Sequence, residues 1–329
     1  MSQNEFDIIK KYFSLPSQRD DVVLAGGDDC AIVNVPADKH LVVTTDTLNS
    51  GVHFPENTSP EDIAHKALMV NLSDLAAMGA TPAWISLAIT LPRVDENWLS
   101  AFSAQLQTLL SEYNISLIGG DTTRGPLSIT IQAMGLCDRG RVLRRDRAKP
   151  GDRIFITGYP GMAAIGLRAI LDGLDDEKLR PCIDRLNRPQ ARLAFAQQLP
   201  RFSRCAIDIS DGLIADLGHI LAASDCGAVI HLDNVPLADP VQYYFRQYHQ
   251  GETDWSLLLT QGDDYELCFT CRPEDESQLQ ALAAEQQLPL SCIGEINTSV
   301  ELVCHDARGN KVDFSDGGFQ HFNAGTFAE

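Results

Sequence analysis

Aspartates recur in this sequence at the ends of apolar segments, beside glycine or a hydroxyl-bearing residue. Gly26-Gly27-Asp28-Asp29, Thr44-Thr45-Asp46-Thr47, Asn71-Leu72-Ser73-Asp74, Gly119-Gly120-Asp121-Thr122, Asp208-Ile209-Ser210-Asp211 and Gly262-Asp263-Asp264 are the stretches in question. Glycines ahead of acids permit tight turns that project carboxylates and backbone N–H groups together. If these stretches converge, they form a polycarboxylate site for hard cations. Magnesium takes one or two carboxylates per ion along with phosphate oxygens, so many carboxylates imply several ions held with a polyphosphate. The sequence contains no Gly-Lys-Ser/Thr P-loop, no H-E-x-x-H and no G-x-S-x-G, which removes the commonest nucleotide-binding and hydrolase signatures. The residues alone lead to a metal-dependent enzyme that handles phosphate.

The elements that must position these acids are partly legible. Ser59-Pro60-Glu61-Asp62 marks a helix start, with a capping residue, proline at the first helical position and acids in the first turn. Gly79 and Pro82 supply its stop. Ile63, Ala64, Ala67, Leu68, Leu72, Leu75 and Ala76 make most of its surface apolar, so the helix is buried. Asn71 and Asp74, three apart, share one face. A carboxylate there is costly unless a cation or several donors meet it; Asp74 is either a metal ligand or a hydrogen-bonded structural acid.

Before it, residues 6–13 read as a short helix and Leu41-Val42-Val43 as a short buried strand running into Thr44-Thr45-Asp46. His53 follows in a glycine-containing loop, where a surface role is the plainer reading. After it come a strand from Trp84 to Leu91, an amphipathic helix from Asp95 to Tyr113, and a strand from Ile115 that delivers Gly119, Gly120 and Asp121. Leu127, Ile129, Ile131 and Ala133 alternate with polar residues as in a half-exposed strand. Arg141, Arg144, Arg145 and Arg147 form a basic cluster that suits a solvated loop or an anionic ligand.

Lys149-Pro150-Gly151-Asp152 is a turn, and it places a domain boundary between residues 1–148 and 149–329. The second part opens with a strand from Arg153 to Thr157 and the turn Gly158-Tyr159-Pro160-Gly161, a weak phosphate-cradle signal. Further on, Ala206 to Asp208 reads as a strand ending in acids, followed by a helix from Leu213 to Ala223. Asp211 has a plain reading as a helix cap, whereas Asp208 lies inside an apolar run. The strings Asn71-Leu72-Ser73-Asp74 and Asp208-Ile209-Ser210-Asp211 hint at a duplicated element.

Bulk properties narrow the class. At 329 residues and 44% hydrophobic content the chain suggests two domains, or one large one, with sizeable cores. A net charge of −19 argues against nucleic-acid and anionic-membrane partners. The nine cysteines are scattered, and Cys268 and Cys271 fall on opposite faces of a strand, so neither a zinc site nor a disulfide is favoured. With no signal-like N-terminus and no apolar span, the expectation is a reduced, soluble, cytoplasmic protein.

Five ordered motifs, Gly27-Asp28-Asp29-Cys30-Ala31, Thr44-Thr45-Asp46, Asn71 through Ala80, Gly119-Gly120-Asp121-Thr122-Thr123 and Asp208 through Leu213, closely resemble those of the thiamine-monophosphate kinase family. That family belongs to a superfamily with aminoimidazole ribonucleotide synthetase and selenophosphate synthetase. The resemblance runs from about Phe6 to Phe322. It implies an α/β (α+β) two-domain fold whose N-terminal mixed sheet pairs into a barrel in a homodimer, with the site in a cleft against a C-terminal α/β domain.

It implies ATP-dependent phosphorylation of thiamine monophosphate to thiamine diphosphate, the last step in making that cofactor, by direct in-line transfer with several magnesium ions. Asp29, Thr44, Thr45, Asp46, Asp74, Asp121, Asp208 and Asp211 would be the magnesium ligands, and Asp74, Asp46, Asp121 and Asp208 the catalytic core among them. Gly120, Asp121, Arg145 and Ser210 would contact ATP; His53, Asp263 and Phe319 would line the thiamine phosphate pocket. The chain departs from the family where Asp263 replaces the usual glutamate, and where Phe319 replaces an aromatic residue that carries a polar group. Another synthetase of the superfamily and a non-catalytic metal- or nucleotide-binding protein are the alternatives. Selenophosphate synthetase would need a reactive cysteine ahead of the first Gly-Asp-Asp motif, and no cysteine precedes Cys30.

Overall fold

The computed structural model of the chain describes residues 5–15, 17–314 and 318. Contacts divide the chain into two compact units, Met1–Val142 and Leu143–Glu329. Both are α/β and both are built on sheets of mixed direction.

The N-terminal unit begins with the short helix α1 (Glu5–Ile8), extended by a turn of π-helix over Ile9–Phe13, and a two-stranded ribbon of β1 (Val22–Leu24) and β2 (Ile32–Val33). Its main sheet holds β3 (Lys39–Asn49), β4 (Thr81–Leu91), β5 (Ser116–Arg124) and β6 (Ser128–Asp138) in the order β3-β6-β4-β5. Only β4 and β5 are parallel. Such a pair needs a crossover, which helix α3 (Glu96–Glu112) supplies, capped by Asp95.

Helix α2 (Pro60–Ala77) lies against α3, β3 and β6. The Ser59 hydroxyl accepts the Asp62 N–H at 3.1 Å, closing the first turn. Gly79, at φ +70°, ends the helix, with its N–H on the Ala76 carbonyl at 2.8 Å and the Ala80 N–H on the Leu75 carbonyl at 2.9 Å. Pro82 has no part in the stop, since it already belongs to β4. Leu68, Leu72 and Leu75 are fully buried, each contributing about 2 kcal/mol.

The strand register assigns the faces of this sheet. Thr44 and Ala133, Asp46 and Ile131, Leu48 and Ile129 are paired positions on the helix-covered face. Thr45, Thr47, Gln132, Thr130, Ala88 and Asp121 occupy the other face. The segment Leu41-Val42-Val43 belongs to an eleven-residue edge strand, and Leu41 and Val43 are 44% and 50% exposed rather than buried. A run of apolar residues does not reveal that the second face of its strand lacks a cover.

The C-terminal unit is organised on seven strands, β7 (Arg153–Thr157), β8 (Cys205–Asp208), β9 (Gly227–His231), β10 (Leu267–Cys271), β11 (Leu290–Asn297), β12 (Leu302–His305) and β13 (Lys311–Val312), in the order β13-β12-β9-β11-β7-β10-β8. All its pairings are antiparallel except β12 with β9. Helices α4 (Met162–Leu171), α5 (Arg180–Asn187), α6 (Leu193–Ala196) and α7 (Leu213–Ser224) join β7 to β8 and β8 to β9. Strand β10 is buried along its whole length, and Phe269 stacks on Phe155 with ring centroids 5.7 Å apart. All nine cysteines are unpaired.

The suggested duplication does not hold. Asn71-Leu72-Ser73-Asp74 lies inside α2, whereas Asp208 closes β8 and Ile209-Ser210-Asp211 is a turn. Two four-residue strings that agree only in a closing Ser-Asp do not fix backbone conformation when tertiary context decides it.

Candidate active site

In the N-terminal unit, α2 and β3 meet through their polar side chains. The Thr44 hydroxyl donates to Asp74 Oδ2. One turn earlier, Asn71 Oδ1 accepts the Asp46 N–H at 3.1 Å, and Asn71 Nδ2 donates to the Ala67 carbonyl at 3.0 Å. Thr44, Asp46 and Asp74 are each half-buried, so they offer oxygen atoms while the backbone fixes where those atoms sit. Thr45 lies between Thr44 and Asp46 in an extended strand, and its side chain is therefore on the opposite, exposed face.

Asp29 and Asp121 are brought together elsewhere in the same unit. With Asp28 and Gly120 they line a cavity of about 920 Å³, whose walls include Lys10, Phe6 and Phe13. Gly120 is required by close approach, because a Cβ there would sit 1.8 Å from the Leu87 carbonyl oxygen. Asp121 Oδ1 accepts the Thr122 N–H at 2.9 Å, and Asp28 Oδ1 accepts the Asp29 N–H at 2.8 Å. His53 follows β3; its Nδ1 accepts the Asn49 N–H at 3.0 Å, which places the ring proton on Nε2. Its carbonyl receives the buried Lys66 ammonium at 2.9 Å.

In the C-terminal unit two segments zip together. Asp208 is only 2% exposed at the end of β8. Beyond it, the Ile209 N–H bonds the Glu266 carbonyl at 2.8 Å, the Tyr265 N–H bonds the Ile209 carbonyl at 2.8 Å, and the Asp263 N–H bonds the Ser210 carbonyl at 2.9 Å. Gly262, at φ +75°, permits the approach, since a Cβ would meet the Ser210 carbonyl oxygen at 2.1 Å. Asp263 and Tyr265 adopt φ of +64° and +51°, and the Tyr265 hydroxyl donates to Asp263 Oδ1 at 3.0 Å. This turn presents Ser210, Asp211 and Asp263 side by side.

Asp216, in the first turn of α7, holds that turn in place. Its Oδ2 accepts the Ser210 and Asp211 N–H groups at 2.9 and 3.0 Å. Burial pushes its carboxyl up to about 7; the neighbouring Asp211 charge adds to the rise, while the two N–H donors and the Arg145 cation oppose it. Asp211 is thus not the cap of α7: Gly212 occupies that position, and no side chain caps the helix. Ligand atoms of Asp211, Asp216 and His219 lie within 4.8 Å of one another. Arg145 is exposed, with its carbonyl accepting the Ser224 hydroxyl at 2.8 Å.

The turn Gly158–Gly161 cradles a protein carboxylate. The Gly161 N–H donates to both oxygens of buried Asp264 at 2.9 Å. Gly158 packs where a Cβ would collide with the Glu266 carboxylate, at 2.0 Å from Oε1. Glu266, 1% exposed, accepts the Thr157 hydroxyl at 2.6 Å and a two-pronged bond from Arg192, with Arg185 at 3.5 Å. Asp216, Glu266 and Arg192 escaped sequence reasoning. Gly262-Asp263-Asp264 was visible as an acidic turn, but nothing local distinguished the acid that faces inward. Phe319 lies outside the described residues.

No thiol competes as a nucleophile among the buried cysteines: burial pushes Cys182, Cys205 and Cys271 up to about 12. What remains is a donor set dominated by carboxylates and hydroxyls, with the His219 imidazole beside Asp211 and Asp216. Hard divalent cations suit such donors, and the crowding of Asp211 and Asp216 is an arrangement that a cation relieves.

Comparison with known proteins gives these acids a context. The family model of the AIR synthase related protein, N-terminal domain, matches residues 27–137, and that of the C-terminal domain matches residues 149–306. The thiamine-monophosphate kinase of Escherichia coli (strain K12) is 45% identical over 326 residues, covering 98% of this chain and 99% of that protein. The chain belongs to the thiamine-monophosphate kinase family, within the AIR synthase related proteins. A crystal structure of the thiamine-monophosphate kinase from Stenotrophomonas maltophilia K279a matches with a TM-score of 0.84 and 42% identity over 95% of this chain and 99% of that one. AaThiL complexed with AMPPCP and TMP matches with a TM-score of 0.77 and 28% identity, covering 96% of each chain. The expected two-domain α/β fold of thiamine-monophosphate kinases is therefore the fold of this chain.

Proposed function

We propose that this chain is a kinase that moves the γ-phosphoryl group of ATP onto the phosphate of thiamine monophosphate, giving ADP and thiamine diphosphate. The observation that carries this reading is end-to-end similarity to thiamine-monophosphate kinases, at 45% identity over 98% of the chain. The related AaThiL is complexed with AMPPCP and TMP, a nucleotide analogue and an acceptor of the proposed kinds.

In the reaction, an oxygen of the acceptor phosphate forms a bond to the γ-phosphorus. The bond from that phosphorus to the β-phosphate oxygen breaks, and ADP leaves with the electron pair. The acceptor oxygen is already anionic near neutral pH, so no strong base is needed. The obstacle is charge: two unit charges 4 Å apart repel by roughly 4 kcal/mol at an effective dielectric of 20, and several meet here. Magnesium bound at these acids would offset that repulsion and align donor with acceptor.

The chain's own residues set up the rest. Asp29, Thr44, Asp46, Asp74 and Asp121 would hold ions from the N-terminal unit, and Asp208 and Asp211 from the C-terminal unit. Thr45 would contribute through its backbone, because its side chain faces away from Asp74. Gly120, Ser210 and Arg145 would meet the nucleotide, and His53 and Asp263 the thiamine phosphate. No phosphoenzyme forms.

The chain is further read as a homodimer whose N-terminal sheets close into a barrel, supported by exposed Leu41 and Val43 on edge strand β3. A cytoplasmic setting is supported by nine unpaired cysteines. Among the described residues no helix is long and apolar enough to cross a membrane.

The test is chromatographic. The protein is incubated with ATP, magnesium and thiamine monophosphate, with free thiamine and acceptor-free tubes as controls. Equal thiamine diphosphate and ADP, formed only with the monophosphate, are expected. ADP without thiamine diphosphate would assign a different acceptor, and no nucleotide turnover under any metal would leave a binding protein.

A further inference from the structure

One cavity in the C-terminal unit has the opposite chemistry to the acidic site. It measures about 400 Å³, and five of the ten residues lining it are cations: Arg147, Lys149, Arg201, Arg204 and Arg272. Lysine and arginine make up only 26 of 329 residues in a chain of net charge −19, so this concentration is not what the composition supplies. Asp152 is the single acid in the lining, and its Oδ2 is already taken by the Lys149 N–H at 3.0 Å and the Thr270 hydroxyl at 3.2 Å.

The cations come from separate parts of the fold. Arg147 ends the short turn Arg145–Arg147, Lys149 precedes β7, Arg201 and Arg204 flank the approach to β8, and Arg272 follows β10. Arg272 is paired with Asp275 at 2.8 Å and with Glu274 at 3.2 Å, and Arg147 lies 3.5 Å from Asp146. The Arg201 guanidinium bonds the neutral Gln198 side chain at 3.1 Å. Among the described residues, neither Arg201 nor the Lys149 ammonium has a carboxylate within ion-pairing distance.

The cavity lies at the other end of β8 from Asp208 and the turn that follows it. Strands β8 and β10 pair with Asp208 opposite Leu267 at one end and Cys205 opposite Thr270 at the other. The catalytic turn follows Asp208, whereas the cations surround the Cys205 and Thr270 end, about 10 Å along the strand.

We propose that this cavity is a second anion site that takes a polyphosphate group, separate from the phosphoryl-transfer site. Five cations spread around one concavity match several phosphate charges better than one, and guanidinium forks give phosphate oxygens directional partners. The site needs no magnesium, unlike the acidic one, and that difference supplies the experiment.

Calorimetric titration of the full chain with inorganic pyrophosphate, and separately with ADP, is made in EDTA, where the acidic site repels unchelated anions. Wild type is expected to bind, and Lys149→Ala/Arg201→Ala to bind at least tenfold more weakly while its magnesium-dependent turnover stays within twofold. Both substitutions are at exposed positions, and an unchanged melting temperature checks the fold. Equal affinity for the two ligands assigns recognition to the diphosphate group alone; tighter ADP binding assigns it to a nucleotide. No metal-free binding by wild type, or binding unchanged in the double variant, overturns the proposal. Neither outcome depends on whether thiamine monophosphate is the acceptor.

Discussion

The N-terminal unit fixes Asp74 on a helix, and the C-terminal unit fixes Asp211 on a turn. Asp74 emerges from a continuous, buried helix, and its carboxylate is met directly by the Thr44 hydroxyl. Asp211 has no regular element of its own. Its position depends on its N–H reaching Asp216, on the Ser210 carbonyl receiving the Asp263 N–H, and on the Ile209 pairing with residues 265 and 266. A side chain on a packed helix needs little further support, whereas one on a turn is only as rigid as its hydrogen-bonded neighbours.

That difference should appear when each region is damaged. The largest effect is expected at Asp74. Asp74→Asn keeps an oxygen for the Thr44 hydroxyl but removes the charge, and should lower kcat by about a thousandfold, corresponding to roughly 4 kcal/mol of transition-state stabilisation. Thermal melting should barely move. Asp211→Asn should cost less, about tenfold to a hundredfold, because the Asp216 carboxylate lies beside it. Comparable losses at both positions would remove the distinction.

Next in size is damage to the frame beneath the turn. Glu266→Gln leaves the half-buried Arg192 against a neutral amide and should destabilise the protein by about 2–4 kcal/mol in denaturant unfolding. The N-terminal acids should be unaffected in the fraction that remains folded. A variant as stable as wild type would mean that the Arg192–Glu266 pair does not hold the turn.

The smallest effect concerns pH. Burial holds the Asp264 carboxyl well above its usual range; Glu266 and Asp263 add to the rise, while the Gly161 N–H and the Arg185 cation oppose it. The folded state therefore keeps this proton to higher pH than the unfolded chain does. Its contribution to stability is complete below about pH 4, the ordinary aspartate range, and is lost as pH rises toward the folded value. Asp264→Asn should flatten that part of the stability profile, measured by melting at a series of pH values. An unchanged slope would place the pH dependence in other groups.

The same contrast explains what could be read from the amino-acid order. Helix α2 was legible from Ser59 to Gly79 because its signals are local: a cap, a proline, first-turn acids and a closing glycine. The side-chain knot it makes with β3 followed in part from Asn71 and Asp74 sharing a face. The edge position of β3, and hence the exposure of Leu41 and Val43, depends on which strands lie beside it, which no local pattern encodes. The network under Asp263 is less legible still. Glu266 meets Thr157 across 109 residues and Arg192 across 74, and Asp264 meets Gly161 across 103. Each partner looks ordinary in its own segment.

The central proposal, that these aspartates hold several magnesium ions for phosphoryl transfer, is tested most directly by the magnesium dependence of turnover at saturating ATP and thiamine monophosphate. The expected result is a rate that keeps rising steeply, with an order above one, after all ATP is in its magnesium complex, and an order that falls in Asp74→Asn. A rate that levels off as soon as the ATP is complexed would contradict it.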